Sequence, residues 1–114
     1  MGDLQKITNQ IISFREERDW SQFHTPKEIA ISIAIEAAEL MEKFQWSRGA
    51  EMEYIEKRKN EIGEELADVM IYLLMLAYSL NIDMERAIKN KIKKNCIKYP
   101  IEKIKGKDIK HTEL

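Results

Sequence analysis

The sequence predicts an all-α fold of four helices without strands, on three observations. Glycine (4) and proline (2) are scarce among 114 residues, which leaves few of the tight turns an all-β chain needs. Apolar residues recur at helical spacing through most of the chain. Helix start and stop signals punctuate those stretches. The length suits one domain. The balance of 44% apolar and 34% charged residues is ordinary for a packed soluble chain and too apolar for a disordered one.

The first helix is expected from about Leu4 to Arg18, with Leu4, Ile7, Ile11, Ile12 and Phe14 as its apolar stripe. The second has the clearest start. Thr25 is a cap, Pro26 stands at the first helical position, and Glu28 can reach back to the cap. Ile29, Ile33, Leu40 and Phe44 carry this helix to about Trp46, with Gly49 at its end or in the loop beyond. The third helix starts after Gly49 and reaches about Leu80. It is charged from Glu51 to Glu65 and apolar almost all round from Leu66 to Leu80. A helix of that kind needs cover on every side, and so short a chain has little to spare, so a homo-oligomer with this helix at its interface is expected. The fourth helix is capped by Asp83, carries Met84, Ala87, Ile88, Ile92 and Cys96, and stops at Tyr99-Pro100. Residues 1–100 are thus read as the helical domain and 101–114 as a lysine-rich, irregular tail.

Several function classes fall away on composition. The formal net charge is −1, so no global field draws the chain to nucleic acid or to a membrane surface. The longest apolar run, Val69 to Tyr78, is far below the ~20 residues of a membrane helix. The opening residues show no signal core, and Lys6 stands where myristoylation needs Ser or Thr. Cys96 has no partner for an internal disulfide and reads as a half-buried helix residue in a reducing compartment. A soluble, cytoplasmic protein is expected. No glycine-rich phosphate loop is present.

The informative residues are acids inside the two most apolar helices. With Ile29 as the origin of a helical wheel, Ile33, Leu40 and Phe44 fall within roughly 60° of it, and Glu36 falls at about −20°, inside the same stripe. Glu39 lies at its edge, about −80°. On the third helix Glu61, Glu65, Asp68, Tyr72 and Met75 form one stripe, and Glu65 and Asp68 are neighbours one turn apart. Carboxylates on a core-facing stripe are costly unless paired or metal-bound. Either acid pair alone reads as a solvated surface pair; two, each embedded in apolar sequence on different helices, tip the balance towards a metal site while leaving the surface reading open. If the helices face each other, four oxygen ligands converge without His or Cys, which suits Mg²⁺ or Mn²⁺. A di-iron bundle would use Glu-x-x-His pairs, and His24 and His111 lie outside both motifs. Magnesium takes part of its ligand shell from substrate phosphates, which points to phosphate chemistry.

Glu36-Ala37-Ala38-Glu39 followed by Glu65-Leu66-Ala67-Asp68 resembles the signature of the MazG-like all-α nucleotide pyrophosphohydrolases. Glu17-Arg18-Asp19-Trp20, Gln22-Phe23-His24, Phe44-Gln45-Trp46, Asp68 to Leu73, Asn95 to Pro100 and Thr112-Glu113-Leu114 look similar to its dCTP pyrophosphatase branch. The resemblance implies a four-helix bundle whose two long central helices carry an acidic metal site. It also implies a dimer or tetramer, and cleavage of (deoxy)nucleoside triphosphates to monophosphate and pyrophosphate, with dCTP-like or modified deoxynucleotides favoured. By motif position Glu36, Glu39, Glu65 and Asp68 would hold magnesium, with manganese a possible substitute. Asn95 and Tyr99 would lie near sugar and phosphates, and Trp20, His24 and Trp46 would line the base pocket.

The chemistry agrees with these residue types. Phosphoryl transfer needs positioning and charge neutralisation more than covalent help. A carboxylate of the cluster can take a proton from water, with Glu39 preferred for its place at the stripe's edge and Glu36 as its neighbour. Lys91 and Lys98 are candidates for the phosphates, with solvated helix lysines as the plain alternative. Trp faces stack on bases at roughly 1–3 kcal/mol each, although a lone Trp in a helix is more often core. Two other readings stay open: a phosphoribosyl-ATP pyrophosphohydrolase with a similar acid signature, and a non-catalytic helical oligomer.

Overall fold

The computed structural model describes residues 2–46, 51–108 and 112. Gly49, His111, Glu113 and Leu114, which figure in the sequence reading, lie outside the described residues. Among those described, the fold is all-α and contains no strand. Its elements are α1 (Asp3–Glu17), a 3₁₀ turn (Ser21–Phe23), α2 (Pro26–Glu42), α3 (Glu51–Ser79), α4 (Met84–Lys98) and the single turn α5 (Ile101–Ile104). The chain divides into two compact units, residues 1–82 and 83–114.

In the first unit α2 packs along α3, and α1 packs on α3. Ile11 of α1, Ile29 of α2, and Ile62, Leu74, Met75 and Ala77 of α3 are buried, whereas Ile7 and Phe14 of the expected α1 stripe stay largely exposed. The Thr and Pro parts of the α2 start signal work as expected. Thr25 is extended at φ −69°, its side chain accepts a hydrogen bond from the Glu28 N–H at 3.3 Å, and Pro26 opens the helix. The end differs from the expected Trp46. After Glu42 the chain tightens into successive turns in which Lys43, Phe44 and Gln45 donate three residues back, to Leu40, Met41 and Glu42.

α1 and α3 end in the same way. Asp19 and Asn81 sit in the left-handed region at φ 55°. Each donates to the carbonyl three residues back (Glu16, Tyr78), and the next residue, Trp20 or Ile82, donates five back, to Arg15 or Ala77. These paired bonds define a Schellman stop, which usually places glycine where Asp19 and Asn81 stand. Replacing Asn81 by Gly is therefore expected to stabilise the protein by about 0.5–1 kcal/mol. A melting temperature unchanged or lowered in Asn81→Gly would show that the asparagine side chain contributes something the backbone does not reveal.

In the second unit Asp83 caps α4, accepting from the Arg86 N–H at 3.1 Å. α4 ends at Lys98, before Pro100, and α5 forms one helical turn where the sequence suggested irregular chain. Cys96 is exposed on α4 rather than half-buried. No single described helix is long and apolar enough to cross a membrane.

Candidate active site

Packing α2 against α3 brings the predicted acids together. One carboxylate oxygen from each of Glu36, Glu65 and Asp68 lies within 4.8 Å of the other two. The Glu39 carboxylate adjoins those of Glu36 and Glu65, within reach of a shared proton. Glu36 Oε2 and Glu65 Oε2 are both buried without a hydrogen-bond partner. Burial, then hydrogen bonding and repulsion from Glu39, then the charges of Asp68 and Glu65, push the Glu36 carboxyl up to about 7. Burial and the neighbouring Glu39 also raise Glu65, while the Lys43 ammonium pulls it the other way. Such a cluster invites a divalent cation: it has oxygen donors, excess negative charge and two buried oxygens with nothing to bind.

Beside the acids stands a row of rings. The Schellman stop of α1 delivers Trp20, whose indole meets the Phe14 ring edge-on at 5.8 Å. The Arg18 guanidinium covers Phe14 at 3.7 Å from the ring centroid. Gln22 secures the left-handed Asp19 by donating to its carbonyl at 2.9 Å and to its carboxylate at 3.2 Å. His24 follows the 3₁₀ turn and lies edge-on to Trp20 at 6.4 Å and to Tyr72 at 6.3 Å. Tyr72 is one helical turn beyond Asp68 on α3, so the row leads from α1 to the acid-bearing helix. Burial first, and the Arg15 charge second, hold the His24 imidazole below its ordinary pKa.

The remaining predicted residues lie elsewhere along the chain. Trp46 ends the turns after α2 and is 61% exposed. In the second unit Lys91, Asn95 and Tyr99 follow at four-residue spacing. Lys91, Asn95 and Lys98 are exposed, and Tyr99 is half-buried. Three residues that touch on the acids or the rings were given no site role in the sequence reading: Lys43, Tyr72 and Arg15. Each carried a positional signal. Lys43 is one turn past Glu39, Tyr72 one turn past Asp68, and Arg15 one turn past Ile11 on the buried stripe of α1.

Comparison with known proteins places the chain in a family. The model of the MazG-like family matches residues 31–114. A dCTP pyrophosphatase 1 from Rattus norvegicus is 37% identical over 97% of this chain and 67% of its own length. The dCTP pyrophosphatase 1 of Homo sapiens is 34% identical over the same shares of the two chains. The crystal structure of a pyrophosphatase from Archaeoglobus fulgidus superposes with a TM-score of 0.83 at 45% identity, covering 88% of this chain and 94% of that one. The chain belongs to the MazG-like family.

Proposed function

We propose that this nucleotide pyrophosphohydrolase uses magnesium to cleave deoxynucleoside triphosphates, dCTP-like or modified ones foremost, to monophosphate and pyrophosphate. The observation that carries the proposal is the convergence of Glu36, Glu65 and Asp68, joined by Glu39, with two buried oxygens left without partners. Glu36, Glu39, Glu65 and Asp68 would hold the ion. Hard oxygen donors without nitrogen or sulfur suit Mg²⁺, with Mn²⁺ as a substitute. Bound there, the ion supplies positive charge against the phosphates and acidity to a water.

The protein's own residues divide the rest of the work. Glu39, at the edge of the α2 stripe, takes the proton of the attacking water, with Glu36 as its alternate. Water opens the anhydride between the first and second phosphates, and pyrophosphate leaves. Trp20, His24 and Tyr72 offer ring surfaces for the base, with Trp46 as a further wall. Lys91, Asn95, Tyr99 and Lys98 are proposed for the sugar and phosphates. Self-association is part of the reading. Leu66, Met70 and Leu73 expose an apolar stripe along α3, 50%, 47% and 38% exposed, that a second copy would cover within a four-helix dimer or a tetramer. The setting is cytoplasmic, where nucleotide pools lie, with no nucleic acid or membrane partner.

The test is incubation with a panel of deoxy- and ribonucleoside triphosphates, and with phosphoribosyl-ATP, in Mg²⁺ or Mn²⁺, followed by ion-exchange separation. Monophosphate and pyrophosphate are expected, dependent on the metal and lost in Glu39→Gln. Diphosphate with orthophosphate would place the cut at the wrong bond. Turnover of phosphoribosyl-ATP alone would move the substrate assignment.

A further inference from the structure

α2 packs on α3 with one side and leaves the other bare. With the buried Ile29 as the origin of the helical wheel, Lys27, Ile31, Ala34, Ile35, Ala38 and Glu42 all fall within about 60° of the opposite direction. All six are exposed, Ile31 at 45% and Ile35 at 53%. Between its two charged ends this face holds only apolar side chains. A helix back left to water carries polar residues, whereas a helix apolar on both sides is one covered on both sides. The acids do not share the face, since Glu36 lies within about 20° of Ile29.

The order of residues along the face is self-complementary. Positions 27 and 42, 31 and 38, and 34 and 35 are each equidistant from one midpoint. Two copies of α2 laid antiparallel about a two-fold axis at that midpoint set every isoleucine level with an alanine. Ile31 meets the second copy's Ala38, and Ala34 meets the second copy's Ile35. Large against small lets two helix backs close without a void. The same axis sets Lys27 level with the second copy's Glu42, at both ends at once. Among the described residues, neither Lys27 nor Glu42 has an ion pair within its own chain. A parallel pair would instead set lysine against lysine and glutamate against glutamate.

We propose that the outer face of α2 is an interface at which two copies of this chain pair antiparallel, closed at each end by Lys27 and Glu42. It is separate from the contact ascribed above to the Leu66, Met70 and Leu73 stripe of α3. One helix pair is narrow beside the ~800 Å² per partner of a standard interface, so it joins pairs of copies already held through α3. The assembly is then a tetramer with two kinds of contact, and Glu36 faces away from this one.

The test is sedimentation of the full chain and its variants, with disulfide trapping beside it. The wild type is expected to run as a tetramer. Ile35→Glu, which sets two carboxylates beside the axis, is expected to run as a dimer with unchanged helical circular dichroism. Lys27→Glu and Glu42→Lys should each weaken the tetramer several-fold, and the double reversal should restore it. In a Cys96→Ser background, Ala34→Cys stands beside the axis and should oxidise to a linked pair. Lys27→Cys, whose two copies lie at opposite ends, should not. A wild type that is a monomer or a dimer overturns the inference. So does an Ile35→Glu that stays tetrameric, a double reversal no stronger than the singles, or a link at residue 27. Loss of the tetramer in Ile35→Glu without a link at residue 34 would mean that another segment covers the face, and overturns it too. If Ile35→Glu does not fold, the two cysteine variants decide. None of these readouts uses turnover, so a failure of the nucleotide reading leaves their outcome intact.

Discussion

Replacing Glu36 by Gln is expected to cut turnover by about 10²–10⁴-fold while raising the melting temperature of the metal-free protein. The two effects share one cause. Glu36 stands among Glu39, Glu65 and Asp68, with one carboxylate oxygen buried and unpartnered. Without a cation this is a concentration of like charge on a packed helix face, which works against folding. Glutamine keeps the shape, drops the charge, and supplies N–H donors to the remaining carboxylates. The gain should be about 1 kcal/mol once solvent screening is allowed for, or roughly 4 °C. The same change removes an anionic donor from the proposed ion site, so the stabilised protein should no longer gain from Mg²⁺. A surface pair of no function would behave differently: activity would persist and stability would barely move. Loss of activity together with a fall in metal-free stability would instead mean that Glu36 holds the fold together.

The helices and acids were legible because both are written in local spacing. A period of 3.6 set α1 to α4, and a Thr-Pro signal gave the start of α2 to the residue. The acids stood out because Glu36 interrupts the stripe begun by Ile29, a conflict between polarity and position that one wheel reveals. What escaped depends on contacts between elements. Tyr72 reads as one more apolar residue of α3 until His24, from another segment, is seen against its ring. Arg15 reads as a polar residue near a helix end, and its place one turn past Ile11 is the only local hint that it is buried. The end of α2 was misplaced for a related reason. Phe44 and Trp46 continue the apolar pattern, but the chain turns with three-residue bonds there, and periodicity cannot tell those from a continuing helix. Cys96 reads as half-buried by its place on the α4 stripe, whose Ile88 and Ile92 are themselves about half exposed.

The metal-free protein is expected to lose stability as the pH rises from about 5 to about 8, against the usual trend for a protein whose carboxylates are paired. The direction follows from Glu36. Its pKa is about 7 in the folded chain against 4.5 as the ordinary value, so the folded state holds a proton that the unfolded chain has released. The contribution is therefore complete below 4.5 and lost as pH rises through about 7. Glu65 is shifted in the same direction, by burial first and Glu39 next, and adds to the slope. Magnesium should reverse the trend. It binds the ionised cluster and competes with protons, so its stabilisation grows with pH. At a hundredfold excess over its dissociation constant it would add about 2.7 kcal/mol, on the order of 10 °C for a domain of this size. Melting curves at stepped pH, with Mg²⁺ and with chelator, give both slopes in one experiment. Crossing slopes, steep with chelator and relieved by Mg²⁺, tie the acids to the ion. Parallel curves would show that the four carboxylates are solvated well enough to need no cation, and the proposed site would fail with them.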